Sequence, residues 1–298
     1  MRHVLLTLTM CATMSLVQPA GDQPTIKRLD GSTISGAQVD ATLSRLLKAA
    51  EVTGAGIAIL NHGKIAYLKA YGFRDKEKSL PLTVDSIMSA ASFSKVAFAY
   101  MVLQLVDEGI LDLDKPVYQY LPKPLPEYPN YSDLANDPRY KLITARMLLS
   151  HTSGFANWRW MEDDHKLRIH FEPGSRFAYS GEGIDLLQQV VETITQKPLE
   201  ELMQQHVFQP FGMKRTSMLW QDRFENDYAN GYDEYGRSVG AHRWKRADAA
   251  GSMQTTISDF ARFVQAVMEG KGLRGKTRAQ MLSPQIQITS KHEFPSLS

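Results

Sequence analysis

Hydrophobic side chains recur at helical spacing in several parts of the chain and predict helices there. Residues 36–51 and 255–270 show this spacing, and the second stretch ends at Gly270, a typical helix stop. Residues 179–196 place their apolar side chains on one helical face. Residues 94–108 are apolar almost all the way round, which predicts a buried helix.

A different pattern appears between residues 53 and 72, where two β-rich runs flank the tripeptide Asn61-His62-Gly63. A short turn with glycine between such runs predicts a β-hairpin. The other clear patterns in the middle of the chain are helical. Because two strands do not form a stable sheet in isolation, the hairpin needs further packing partners.

The first twenty residues differ from the rest of the chain. Met1-Arg2-His3 gives a short positive start, residues 4–17 carry no charge, and Ala20 is a suitable cleavage site. This order predicts a secretory signal peptide over residues 1–20 and a periplasmic or secreted protein. The apolar run is shorter than the roughly 20 residues of a membrane-spanning helix, so no membrane span is expected after cleavage. The single cysteine, Cys11, lies within this segment, which leaves no disulfide in the mature chain.

Composition limits the classes of partner. The chain has 298 residues and a formal net charge of +2, which is too weak to suggest binding to nucleic acid. The histidines and aspartates of residues 163–170 lack metal-ligand spacing, and no glycine-rich nucleotide motif is present. We therefore expect neither a metal nor a cofactor.

Ser92 and Lys95 form an S-x-x-K tetrad where the buried helix begins. Residues three apart share a helical face, and the unpaired N–H groups of a first turn favour negative charge. A lysine deprived of water releases its proton more readily and can serve as a base. In the alternative interpretation, Ser92 or Ser94 only caps the helix and Lys95 extends to water. The tetrad alone does not decide between them.

Three further stretches follow the tetrad in a fixed order, namely "LVDEGILDLDKPVYQYLP", "ITARMLLSHTSGF" and "FEPGSRFAYSGEGIDLLQ". With them, residues 37–285 resemble the superfamily of serine β-lactamases and penicillin-binding proteins. The resemblance is strongest to class C β-lactamases, D-alanyl-D-alanine carboxypeptidases and family VIII carboxylesterases.

This resemblance implies roles for particular residues. Ser92 matches the acylated nucleophile, Lys95 its partner base, and Tyr179 the tyrosine of the Y-x-N motif, which relays protons. His151 of "HTSG" matches a packed turn residue behind the site. The implied activity is that of a serine hydrolase, which forms an acyl-enzyme on Ser92 and cleaves an ester or a β-lactam-like amide without a cofactor.

One departure from the family concerns the substrate. Gly181 stands at the third position of Y-x-N, where the family's asparagine amide contacts an acylamino group. This change favours a simpler ester, amide or lactone. Ser180 beside it and Trp158, an aromatic side chain that can line the site, are candidate substrate contacts. Packing beneath a loop is the alternative for Trp158.

The resemblance also implies an α+β fold with an antiparallel sheet flanked by helices, and an all-α domain. Residues 24–85 and 246–298 would form the α/β domain and residues 86–245 the helical one. The family's late strand with K-T-G or H-x-G, which supplies one N–H of the oxyanion hole, has no counterpart after Ser283. We therefore expect an incomplete sheet. A second hypothesis is a catalytically impaired or inactive, truncated relative that acts as a binding or interaction domain.

Overall fold

The computed structural model describes residues 25–289. The predicted signal peptide lies outside them, so export stays a prediction. The helices are α1 Gly36–Ala49, α2 Phe93–Asp107, α3 Ala145–Leu149, α4 Gly181–Thr195, α5 Leu199–Met203, α6 Ile257–Glu269 and α7 Gly275–Met281. The strands are β1 Thr25–Lys27, β2 Thr33–Ser35, β3 Gly54–Asn61, β4 Lys64–Asp75, β5 Leu80–Pro81, β6 Met88–Ser89, β7 Gly231–Tyr232, β8 Ser238–Gly240 and β9 Gln254–Thr255.

The main sheet is antiparallel and has the strand order β3-β4-β5. His62 and Gly63 connect β3 to β4 with φ angles of 51° and 74°. Both angles are positive, as a two-residue hairpin turn needs if it is to match the twist of its strands. The predicted hairpin is therefore confirmed. One face of it is covered by α6, which packs so close that a Cβ at Gly56 would lie 3.0 Å from Ile257 Cβ.

A second, much smaller sheet positions the site. β6 pairs with β9 in antiparallel fashion, with Met88 opposite Thr255 and Ser89 opposite Gln254. The contact continues to Ala90, whose N–H donates to the carbonyl of Met253 at 2.9 Å. This pairing brings the residues just before β9 against the start of α2. Strands of two residues carry no periodic pattern, so the sequence did not predict them.

Helix α2 runs through the centre of the hydrophobic core. Phe98, Met101 and Val102 are completely buried within it, and Ile184 and Leu187 of α4 belong to the same apolar cluster. Because other apolar side chains surround α2, the helix is itself apolar on nearly every side. Within residues 25–289, no helix combines the length and the apolar character that crossing a membrane requires. The boundaries proposed for the two domains stay a prediction.

Candidate active site

The backbone just before α2 adopts an unusual conformation that aims Ser92 outward. Ala91 has a φ of 43°, in the left-handed region that non-glycine residues rarely adopt. Ser94 stabilises this turn, because its hydroxyl donates to the Ala91 carbonyl at 2.6 Å and accepts from the Met253 N–H at 2.9 Å. Ser94 is therefore a positioning residue between the helix start and the segment that leads into β9.

Ser92 is exposed and does not use its hydroxyl to cap α2. Elsewhere, hydroxyls at helix starts do accept from backbone N–H groups, as those of Thr144 and Thr256 show. Lys95 instead donates from Nζ to Ser92 Oγ at 3.1 Å, and its side chain does not extend to water, because the residue is only 6% exposed. The predicted shared face is confirmed, and neither the capping nor the solvated alternative fits.

A backbone carbonyl fixes the other side of the lysine amine. Lys95 Nζ donates to the carbonyl of Ala250 at 2.6 Å. That carbonyl belongs to a tight turn, in which Asp248 Oδ1 accepts from the Ala250 N–H at 2.7 Å. Ser252 Oγ holds the same turn by accepting from the Asp248 N–H at 2.9 Å. Sequence reasoning missed Ala250, because a carbonyl on a distant loop has no residue-type signature.

Tyr179 lies next to Lys95. The side-chain nitrogen of Lys95 is 5.0 Å from the centre of the Tyr179 ring, and the centre of the His151 ring is 4.5 Å from the centre of the Tyr179 ring. His151 Nδ1 accepts from the Ser180 N–H at 3.1 Å. Burial, and secondarily the charge of Lys95, lower the pKa of His151 to about 4. His151 is therefore neutral near pH 7, and its ring packs against that of Tyr179.

Residues 39–293 match the family model described as Beta-lactamase. The chain belongs to the Beta-lactamase family. It is 31% identical over 239 residues to the esterase EstB of Burkholderia gladioli, a match that covers 71% of this chain and 59% of EstB. It is 26% identical over 240 residues to a beta-lactamase of Pseudomonas fluorescens, covering 77% of this chain and 64% of that protein.

A solved structure of this fold agrees with those matches. The D-alanine carboxypeptidase AmpC of Burkholderia cenocepacia aligns with a TM-score of 0.66 and 26% identity, over 81% of this chain and 66% of that one. The alignment confirms the predicted α+β fold of the β-lactamase and penicillin-binding-protein type. The chain spans about three fifths of the length of the two curated relatives.

Ser180, the second residue of the family's Y-x-N motif, has a structural task. The side chain is completely buried, and its hydroxyl donates to the Ala156 carbonyl at 2.8 Å and accepts from the Gly183 N–H at 2.9 Å. It thereby caps α4. Because both hydrogen bonds stay inside the protein, we correct the expectation that Ser180 contacts the substrate.

The third position of the motif is filled by a neighbour. A Cβ at Gly181 would lie 2.4 Å from Cη2 of Trp158, so the indole occupies the space that a side chain would need. The centre of a Trp158 ring lies 5.7 Å from Lys95 Nζ. Trp158 thus lies beside Lys95 and also packs against the core, and a contact with the substrate stays a prediction. Residues 25–289 contain no group of three or more His, Cys, Asp or Glu side chains arranged to hold a metal ion.

Proposed function

We propose that the protein is a serine hydrolase that forms an acyl-enzyme on Ser92. The observation that carries this proposal is the contact between the exposed Ser92 hydroxyl and the buried Lys95 amine, with Nζ and Oγ 3.1 Å apart. An alcohol next to a desolvated amine is the arrangement needed to activate a weak nucleophile. Ser92 is free for this task because it does not cap its helix.

The proposed reaction has two halves. The unprotonated form of Lys95 takes the proton of Ser92, Oγ bonds to the substrate's carbonyl carbon, and the leaving group departs with a proton relayed through Lys95 and Tyr179. Water then attacks the acyl-enzyme, releases the acid and returns the proton to Ser92. The Ala250 carbonyl keeps the amine directed at Oγ through both halves.

The start of α2 can also stabilise the negative charge that develops on the substrate's carbonyl oxygen. Ser92 is the residue that precedes the first turn of α2, at the positive end of the helix dipole. The Ser92 N–H is therefore the candidate donor to the oxyanion. Removal of one such donor typically slows acyl transfer by roughly 10²–10³-fold.

For the substrate we propose a small ester in preference to a β-lactam-like amide. Two features support this choice. The relative EstB is named an esterase, and Gly181 stands in place of the family's asparagine. The amide that would pair with an acylamino group is lacking there, and a buried polar group without its partner costs binding energy. An ester with an apolar acyl group needs no hydrogen-bond partner at this position.

Covalent labelling of the 298-residue chain tests the proposal. A fluorophosphonate probe, a fluorescent penicillin or both should label the protein, and Ser92→Ala should abolish labelling. Ser132→Ala is the matched control, because Ser132 is an exposed serine whose hydroxyl donates to the Pro129 carbonyl away from Lys95. A folded protein that neither probe labels would refute the proposal and support a non-catalytic binding domain.

The substrate choice has a separate test. Turnover of nitrocefin and of p-nitrophenyl butyrate should be compared under the same conditions, and the ester should be the better substrate. Efficient turnover of nitrocefin without turnover of the ester would contradict the inference drawn from Gly181.

A further inference from the structure

The indole of Trp158 stands where the family's third Y-x-N side chain would be. We propose that Trp158 is a specificity-determining residue, an aromatic wall that selects aryl and other apolar acyl groups. This inference rests on the proposed acyl transfer at Ser92 and names the substrate class for it. Its geometric basis is the 2.4 Å between a Gly181 Cβ and the indole Cη2, and the 5.7 Å between the indole and Lys95 Nζ.

The first turn of α4 clamps the residue before Trp158. The N–H groups of Gly181 and Glu182 both donate to the Asn157 carbonyl, at 3.0 and 3.1 Å. The Gly181 N–H also donates to Asn157 Oδ1 at 3.0 Å. The backbone on this side of the indole is therefore fixed to the helix that carries the family motif.

The residue after Trp158 is clamped to the same turn. Glu182 is only 5% exposed, and its Oε1 accepts from both the backbone N–H and Nε of Arg159, each at 2.9 Å. With Asn157 and Arg159 both held, the loop cannot move the indole away without breaking partly buried hydrogen bonds. A wall fixed in this way can discriminate, because a substrate cannot push it aside at little cost.

The chemistry of the wall decides what it selects. An indole offers a flat apolar face, and aromatic pairs gain attraction beyond the area that they bury, which corresponds to roughly two- to tenfold in binding. Trp158 is half-buried and packs against the core, and the centre of its ring lies 5.7 Å from Lys95 Nζ. An aryl acyl group can stack there, whereas an acylamino group finds no amide partner at Gly181.

Two esters with one leaving group isolate the acyl preference. The ratio of kcat/KM for p-nitrophenyl phenylacetate to that for p-nitrophenyl acetate should fall by roughly two- to tenfold in Trp158→Ala. Trp160→Ala is the matched control, because Trp160 is 62% exposed on the same loop and its removal should leave the ratio unchanged. An unchanged ratio in Trp158→Ala would overturn the inference.

Binding of the product acids decides the question without turnover. Phenylacetate should bind more tightly than acetate, as followed by NMR titration, and Trp158→Ala should remove most of that difference. Equal binding of the two acids to the unmodified protein would also overturn the inference. If the protein hydrolyses neither ester but still binds phenylacetate more tightly than acetate, the proposed function is refuted and the role of Trp158 in binding apolar groups is retained.

A double-mutant cycle of unfolding free energies tests the placement of the indole. Gly181→Ala should destabilise the unmodified protein, because the new Cβ would lie only 2.4 Å from the indole Cη2. The same substitution in a Trp158→Ala background should cost much less. An equal cost in both backgrounds would show that the indole does not occupy this space, and would overturn the inference.

Discussion

Asp185 lies in α4 and offers a test of the electrostatics behind the site. Its Oδ1 is enclosed and accepts no hydrogen bond from the residues that the structure describes. Burial first, and then the negative charges of Asp248 and Glu182, raise the pKa of Asp185 to about 8, while the charge of Lys95 acts in the opposite direction. The carboxyl group is therefore protonated in the folded protein at neutral pH.

The sign of the effect on stability follows from proton counting. In the unfolded chain Asp185 ionises near its ordinary pKa of 3.8, so between about pH 4 and pH 8 the folded state holds one proton more. Stability from this group is fully present below pH 4 and is lost as the pH rises towards 8. Each pKa unit corresponds to about 1.4 kcal/mol. Although Oδ1 is enclosed, the residue as a whole is only half-buried, and solvent weakens the effect of its charge, so we expect a total loss of stability on the order of a few kcal/mol.

Asp185→Asn removes this titration and keeps the shape of the side chain. Urea unfolding at pH 5 and pH 8 should show that the variant gains stability over the unmodified protein as the pH rises, by on the order of a few kcal/mol at pH 8. Asp163→Asn is the matched control, because Asp163 is exposed. A difference between Asp185→Asn and the unmodified protein that stays constant from pH 5 to pH 8 would refute the reasoning.

Two further predictions concern the backbone around the site and the sheet. Ser94→Ala leaves the buried Met253 N–H without its acceptor and should lower the free energy of unfolding by about 1–3 kcal/mol; a change below about 0.5 kcal/mol in urea unfolding would contradict this. Gly72→Ala should cost more stability than Gly63→Ala, because both have positive φ but only a Cβ at Gly72 would clash, 2.1 Å from the Thr53 carbonyl oxygen. Equal melting temperatures for these two variants would contradict the second prediction.

Much of the local structure could be predicted because it depends on neighbours in sequence. The spacing of Ser92 and Lys95 determined that they share a helical face, and the structure places their reactive atoms in contact. The hairpin at His62-Gly63 followed from turn chemistry. The catalytic roles of Ser92, Lys95 and Tyr179 stay predictions that the experiments above address.

The rest of the site depends on contacts that periodicity does not encode. The Ala250 carbonyl reaches Lys95 from 155 positions away, by way of a two-residue strand pair. The fit between Trp158 and Gly181 depends on a loop that is fixed by partly buried hydrogen bonds. Side-chain pattern predicts which face of a helix is buried, but not which loop covers it or which carbonyl turns inward.

The most direct test of the central claim is the rate at which a fluorophosphonate labels Ser92 in the unmodified protein and in Lys95→Met. Lys95 is proposed to take the Ser92 proton, so its loss should slow labelling by roughly 10²–10⁴-fold, with circular dichroism confirming that the variant is folded. Equal rates in the two proteins would contradict the claim that this amine activates this alcohol.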